Sequence, residues 1–244
     1  MNKERQNPGT FRSNATAAGV LFLVTHVGSI GGAALYGLAL YGNGYAWGAA
    51  ADALVLVGAL LEVITAMAVV GTAVALYPAA RRQREALALG YVGLRTLEAG
   101  VIALGVIPLL LWATLNQIAL NAGGDSAGFV SLSNLLVEVH RLTNLVGPGL
   151  VCGINTVVIA WVLYQSRLVP RFIPALGLVG GTLVFVLTVF MLFGEVPAWS
   201  GLLVLPIFTW ELLLALWLIF VGFNRKTVVT APAVLEPAEL AMAA

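Results

Sequence analysis

Six polar side chains stand inside runs of apolar residues: His26, Glu62, Arg95, Glu98, Asn155 and Glu211. Carboxylates, a guanidinium and an imidazole are the groups that move protons, balance a cation or clamp an anion. The pair Arg95 and Glu98 lies in ALALGYVGLRTLEAGVIALGV, residues 86–106, an apolar run long enough to cross a bilayer. Residues three apart share a helix face, so the two can pair along one helix. A charge at bilayer depth costs roughly 2.5–3.5 kcal/mol on insertion scales, and such residues usually face a polar interior. Counted at 1.5 Å per residue from the basic end of each run, all six lie roughly 13–23 Å deep. They are expected to converge on an internal, midplane cavity.

Charge balance limits what such a cavity can hold. One arginine offsets one carboxylate, either Glu98 or Glu62. Burial disfavours the ionised form of the rest, so Glu211 and one further carboxyl are expected to be neutral. A neutral buried carboxylic acid can donate a proton, receive a cation or hydrogen-bond across helices. Glu62, Glu98 and Glu211 are therefore the candidate acid–base groups, and the same residues are equally suited to holding a bundle together. His26, Glu62, Glu98 and Glu211 would also suit a hard divalent ion. No two of them stand at paired ligand spacing on one helix, however, and Arg95 beside Glu98 opposes a cation. No metal and no cofactor is expected.

A second polar group comprises Glu138, His140, Arg141 and Asn144, towards the face opposite the basic loops. Glu138 and Arg141 are spaced to pair. The segment 131–143 reads either as an interfacial helix or as the outer end of a long fourth helix, bent at Pro148. Its two readings are an outer-surface ion pair and a gate.

The elements that must position these groups follow from composition. Hydrophobic residues make up 60% of the chain and charged residues 9%. A soluble domain carries about a quarter charged residues, so most of this surface is expected to face lipid. Six apolar segments reach bilayer length, near 16–40, 51–77, 87–113, 143–164, 173–194 and 201–223. The expected fold is all-α, a polytopic transmembrane helix bundle of about six helices. Its domains read as an N-terminal tail at 1–14, a transmembrane domain at 15–226 and a mobile C-terminal tail at 227–244.

Lysine and arginine sort between alternate loops. Lys3, Arg5 and Arg12 precede the first segment, and Arg81, Arg82 and Arg84 follow the second. Arg167 and Arg171 follow the fourth, and Arg225 and Lys226 follow the sixth. By the positive-inside rule the protein is expected in the cell membrane as a multi-pass protein with both termini cytoplasmic. Tyr41, Tyr45, Trp47, Trp112 and Trp199 are expected at the outer interface, and Tyr77, Trp161 and Tyr164 at the inner one. Glycines four apart (Gly28 and Gly32, Gly149 and Gly153, Gly177 and Gly181) are expected at close helix contacts.

The net charge of +1 argues against a nucleic-acid partner. Cys152 is the sole cysteine, which excludes an intrachain disulfide. Phosphate loops, zinc-protease motifs, nucleophile elbows and dinucleotide fingerprints are absent. Residues 76–93 and 163–180 match at eight of eighteen positions, which fits either a parallel repeat of helices 2–3 as helices 4–5 or the generic likeness of two helix–basic loop–helix units. In the second copy Thr182 and Phe185 stand where the first has Arg95 and Glu98.

Several segments resemble a bacterial membrane-protein family known as domain of unknown function 4386. The matching stretches are Gly19-Val20-Leu21-Phe22, Leu61-Glu62, Ala75-Leu76-Tyr77-Pro78 and Ala88 to Gly93 leading to Arg95 and Glu98. Ser166 to Arg171 follows, then Glu211 with Trp217-Leu218-Ile219 and Gly222-Phe223-Asn224. The resemblance implies a six- or seven-helix membrane protein and supplies no activity. Glu62, Arg95, Glu98 and Glu211 fit its pattern, whereas His26 and the Glu138 to Arg141 group look particular to this chain.

Three functions stay open on these residues. The first is a pocket that binds or transports a small lipophilic or cationic ligand, coupled to protons. The second is an intramembrane enzyme using a buried carboxylic acid on a lipid-soluble substrate. The third is a structural or accessory subunit. Membrane lipids are the expected surroundings in each case.

Overall fold

In the computed structural model, residues 8–40, 49–121, 127–194, 196 and 198–224 are described. Within lipid every backbone donor and acceptor must be satisfied inside its own segment or its own sheet, which favours helices for apolar runs of this length. Helices α1 (Pro8–Ala39), α2 (Ala49–Asn121), α3 (Ala127–Asn144), α4 (Cys152–Ser166), α5 (Phe172–Phe193) and α6 (Leu205–Phe220) account for most of the chain. Among the described residues there is no strand.

The two apolar segments expected at 51–77 and 87–113 are the arms of α2. A straight helix of its 73 residues would span about 110 Å, several bilayer cores. Instead Arg84 alone leaves helical geometry (φ −152°, ψ 89°), and the chain doubles back. Ala66 and Val69 of the first arm pack against Ala99 and Ile102 of the second. A basic loop was expected between the arms, but residues 77–83 and 85–93 are helical up to the single break.

Helices α3 and α4 form one continuous stretch, Ala127–Ser166. The 131–143 segment is therefore the first part of a long helix rather than a separate one. A π-helical turn, Leu145–Val151, joins the halves around Pro148. Proline supplies no N–H to the helix ladder, and here the Cys152 N–H reaches the Gly147 carbonyl, five residues back.

Among the described residues, five helical stretches are long and apolar enough to cross a membrane: Thr10–Ala39, Ala50–Asn121, Ala127–Ser166, Phe172–Phe193 and Trp199–Phe220. Their outer faces expose large apolar side chains, including Val27, Leu38, Phe190, Phe193 and Phe220. Arg95, Glu98 and Asn155 are buried instead. Apolar outside and charged inside is the arrangement of a bundle solvated by lipid.

Helices approach closely where side chains vanish. A Cβ on Gly153 would fall 2.9 Å from the Gly181 carbonyl oxygen, and one on Gly181 would fall 2.8 Å from that of Gly153. These glycines of the expected four-residue pairs thus meet each other within the chain, α4 against α5. Beside the small patch where the arms of α2 meet, the described residues form two larger apolar bodies. One holds Phe22, Tyr91, Leu163, Trp210 and Leu214; the other holds Tyr36, Val55, Leu109 and Trp112. Trp112, expected at an interface, is fully enclosed in the second body, while Trp199 is exposed.

The basic ends are held by stacking. The guanidinium of Arg82 lies 4.6 Å from the Phe11 ring centre, and that of Arg171 lies 5.1 Å from that of Tyr164. Arg12 donates to the carbonyls of Ile219 and Phe220 at 2.8 and 3.1 Å, closing the exposed end of α6. Helix α1 begins at Pro8, within the stretch read as a polar tail. Tyr41, Tyr45, Trp47 and the tail at 227–244 lie outside the described residues. Thr182 is exposed and donates to its own helix, and Phe185 packs at Gly153, so neither adds a charge to the interior.

Candidate functional site

The polar groups form two clusters. The first gathers residues from four helices. Arg95, on the second arm of α2, donates from Nε to the Tyr91 hydroxyl at 3.1 Å and from Nη1 to Glu98 Oε2 at 3.2 Å. Its Nη2 lies 3.5 Å from Glu211 Oε1 on α6. Phe22 and Tyr91 present their rings 5.5 Å from the guanidinium carbon, a face that favours a cation. Asn155, on α4, donates to Glu98 Oε2 at 2.6 Å. His26, on α1, places Nε2 3.7 Å from Glu211 Oε2 and Nδ1 2.9 Å from the Phe22 carbonyl oxygen. His26, Arg95, Glu98, Asn155 and Glu211 are thus brought together. Tyr91 escaped the sequence reading, although its place four residues before Arg95 is the spacing that makes neighbours on a helix.

The two carboxylates of this cluster are not equivalent. Glu98 is buried and held through Oε2 by bonds of 3.2 and 2.6 Å. Glu211 is partly open, and its charged neighbours stand at 3.5 and 3.7 Å. Glu211 lines a chamber of about 240 Å³, bounded also by His26, Arg95, Cys152, Ile207 and Phe208. With both carboxylates ionised, the chamber carries one negative charge more than the arginine offsets. Both carboxylates line the chamber; Glu98 is the more tightly bonded to Arg95, and Glu211 has the more exposed side chain.

The second cluster corrects the expected grouping. Glu62, on the first arm of α2, does not join Arg95. Its Oε1 lies 3.5 Å from Nε2 of His140 on α3. His140 was grouped with the outer polar residues, yet it is buried, and its Nδ1 stands 2.9 Å from the Gly105 carbonyl oxygen. Asn144 Nδ2 lies 3.0 Å from His140 Nε2, and the Tyr36 ring meets the imidazole edge-on at 5.3 Å. Glycine at 105 is required here, because a Cβ would collide with Thr143 Oγ1. These groups line a chamber of about 260 Å³. Glu138 and Arg141 remain an exposed ion pair, bonded at 2.8 Å, with Arg141 also at the rim of this chamber.

The two chambers adjoin, since Ser29, Thr65, Ile102 and Pro148 line both. A further buried contact, Asn116 Nδ2 donating to Asp52 Oδ1 at 2.5 Å, ties the two arms of α2 and lies apart from both chambers' walls. Sequence reading missed it because each residue sits near the end of an apolar run, where polarity is ordinary. Among the described residues, no group of three or more His, Cys, Asp and Glu side chains is placed to hold a metal ion.

No curated protein and no solved structure matches the chain. A family model does, over residues 17–222, a span that contains Glu62, Arg95, Glu98 and Glu211 and both chambers. The chain therefore belongs to the family described as Domain of unknown function (DUF4386), a family of membrane-spanning helices to which no activity is attached.

Proposed function

We propose that this protein binds or transports a small lipophilic or cationic ligand in the chamber between His26 and Glu211, with proton exchange at its carboxylates. The observation that carries this reading is the uneven state of the two acids. Both line a chamber of about 240 Å³, but Glu98 is held through Oε2 by Arg95 and Asn155, whereas Glu211 has only longer ion-pair contacts and the more exposed side chain. Apolar walls from Ile207, Val204 and Phe208 suit a lipophilic body, and the surplus carboxylate suits a positive head. The chamber lies below the usual range of drug-sized pockets, about 300–1,000 Å³, so the ligand is small. The protein acts in the cell membrane with both termini on the cytoplasmic side, as the arginines at one end of the bundle favour.

The test is extraction in mild detergent followed by mass spectrometry of the small molecules retained by wild type and by Glu211→Gln. A small amine or other lipophilic species held by wild type and lost from the folded variant supports the reading. Equal retention by both overturns it.

The same geometry supports a second reading, an intramembrane acid catalyst. A carboxylic acid beside apolar walls can protonate a lipid-soluble substrate, and Glu211 shares its chamber with Val204, Ile207 and Phe208. Recovery of a chemically altered molecule, rather than the same one, favours this reading.

A further inference from the structure

Both histidines of the chain are anchored in the same way. Each Nδ1 stands 2.9 Å from a backbone carbonyl oxygen, that of Phe22 for His26 and that of Gly105 for His140. A carbonyl oxygen can only accept, so each Nδ1 carries the hydrogen. The lone pair of the neutral ring is then on Nε2, and in each case Nε2 faces a carboxylate: Glu211 for His26, Glu62 for His140. At His140 the amide of Asn144 reinforces this tautomer, because its Nδ2 points at Nε2 from 3.0 Å. The same Nδ2 donates to the His140 carbonyl oxygen at 3.2 Å, which fixes the amide with its donor toward the ring. The Glu62 carboxyl is also met by the side chains of Tyr36 and Asn144.

We infer that His140 and Glu62 form a second proton-binding site, separate from the ligand chamber and built on the same plan as His26 and Glu211. One proton is shared along the line from Nε2 of His140 to Oε1 of Glu62. Uptake adds it to the Nε2 lone pair, giving an imidazolium beside the carboxylate; release returns the neutral ring. The groups that face this site are Glu62 from the first arm of α2, Tyr36 from α1 and Arg141 from the same helix at the chamber rim. The Gly105 carbonyl completes it from the second arm. The shared wall of Ser29, Thr65, Ile102 and Pro148 sets this site directly beside the chamber of Glu211. Its occupancy therefore changes the charge next to that chamber. The inference stands on the imidazole geometry alone and needs no ligand.

Two histidines make the test direct. Full-length protein carrying a histidine-free tag and ¹⁵N-labelled histidine is reconstituted in lipid, and its imidazole nitrogens are followed from pH 9 to pH 4. At high pH both rings should show a protonated Nδ1 and an unprotonated Nε2. On acidification His140 should gain its second proton at Nε2. Glu62→Gln should weaken that proton binding by about tenfold or more, since one pH unit corresponds to one such step, and should leave the His26 signals in place. A His140 that carries its hydrogen on Nε2 at high pH, stays neutral down to pH 4, or titrates identically in Glu62→Gln overturns the site. The wild-type tautomer and titration decide the matter even if Glu62→Gln fails to fold. Failure here leaves ligand retention at Glu211 untouched, so the two readings fall separately.

Discussion

Asn155 and Arg95 bond to the same oxygen of Glu98: Oε2 accepts from the amide at 2.6 Å and from the guanidinium at 3.2 Å. One atom therefore joins α4 to the second arm of α2 through a charge held away from solvent. Removing one partner of a buried pair strands the other, at a cost of about 3–5 kcal/mol. Glu98→Gln should lower unfolding stability in detergent by about that amount. Asn155→Ala, which removes one donor to a charged group, should cost about 1.5–3 kcal/mol. Because both act on one oxygen, the double variant should lose less than the sum of the two. Strict additivity in a denaturant series would show that the bonds are energetically separate.

Glu211 should behave otherwise. Its neighbours stand at 3.5 and 3.7 Å, and its side chain reaches the open chamber, so its charge contributes less to packing. Glu211→Gln should keep the thermal midpoint close to wild type while weakening binding of the copurifying ligand roughly 10- to 100-fold, the worth of one charge-assisted contact. Equilibrium binding to the purified variant measures this. A variant that unfolds with Glu98→Gln but still binds when folded would move Glu211 to the structural network.

The architecture was legible in the sequence because charge inside an apolar run is rare enough to stand out. His26, Arg95, Glu98, Asn155 and Glu211 were placed at one depth by counting helix rise, and they do meet. Glu62 lies at that depth too, but depth says nothing about direction around the bundle, and it faces His140 instead. His140 itself sits in a moderately polar stretch with Ser131, Ser133, Asn134 and Glu138, where one more polar residue carries no signal. The π-helical turn at Leu145–Val151 also shifts the face of every residue before it relative to a regular helix. Trp112 is a related case: its place near the end of an apolar run says nothing of lateral burial, and the fold-back of α2 at Arg84 encloses it. Nothing in the spacing of Arg81, Arg82 and Arg84 distinguished a one-residue break from a loop.

Gly105 is the position where the second cluster is most sensitive to a single methyl. Its carbonyl orients His140, and a Cβ there would collide with Thr143 Oγ1 and come within 3.6 Å of His140 Nδ1. Overpacking of this kind typically costs about 1–3 kcal/mol. Gly105→Ala should lower the thermal midpoint, and adding Thr143→Ala should recover most of the loss by removing the oxygen that is struck. The histidine spectra of the double variant should regain the wild-type His140 tautomer. A double variant no more stable than Gly105→Ala would place the strain elsewhere.

The contact between Asp52 and Asn116 makes a last, separable claim about how α2 stays folded on itself. The two residues lie on opposite arms, 64 positions apart, and both are buried. Asp52 also sits in the first turn of the helix, where the aligned peptide dipoles favour a negative charge. Replacing it with alanine removes both effects and leaves the Asn116 amide without its acceptor, for a loss of about 1.5–3 kcal/mol. Asp52→Asn should lose less, because an amide oxygen still accepts. Asn116→Asp should lose more at neutral pH, because it sets two carboxylates against each other. The exposed pair of Glu138 and Arg141 is the control: surface ion pairs contribute about 0–1 kcal/mol, so Glu138→Gln should leave the unfolding midpoint almost unmoved. The predicted order of stability at Asp52 is wild type, then Asn, then Ala, read from denaturant midpoints in one detergent. An Asn variant as weak as the Ala variant would assign the contact to charge alone, and an Ala variant as stable as wild type would remove it from the forces that close the two arms.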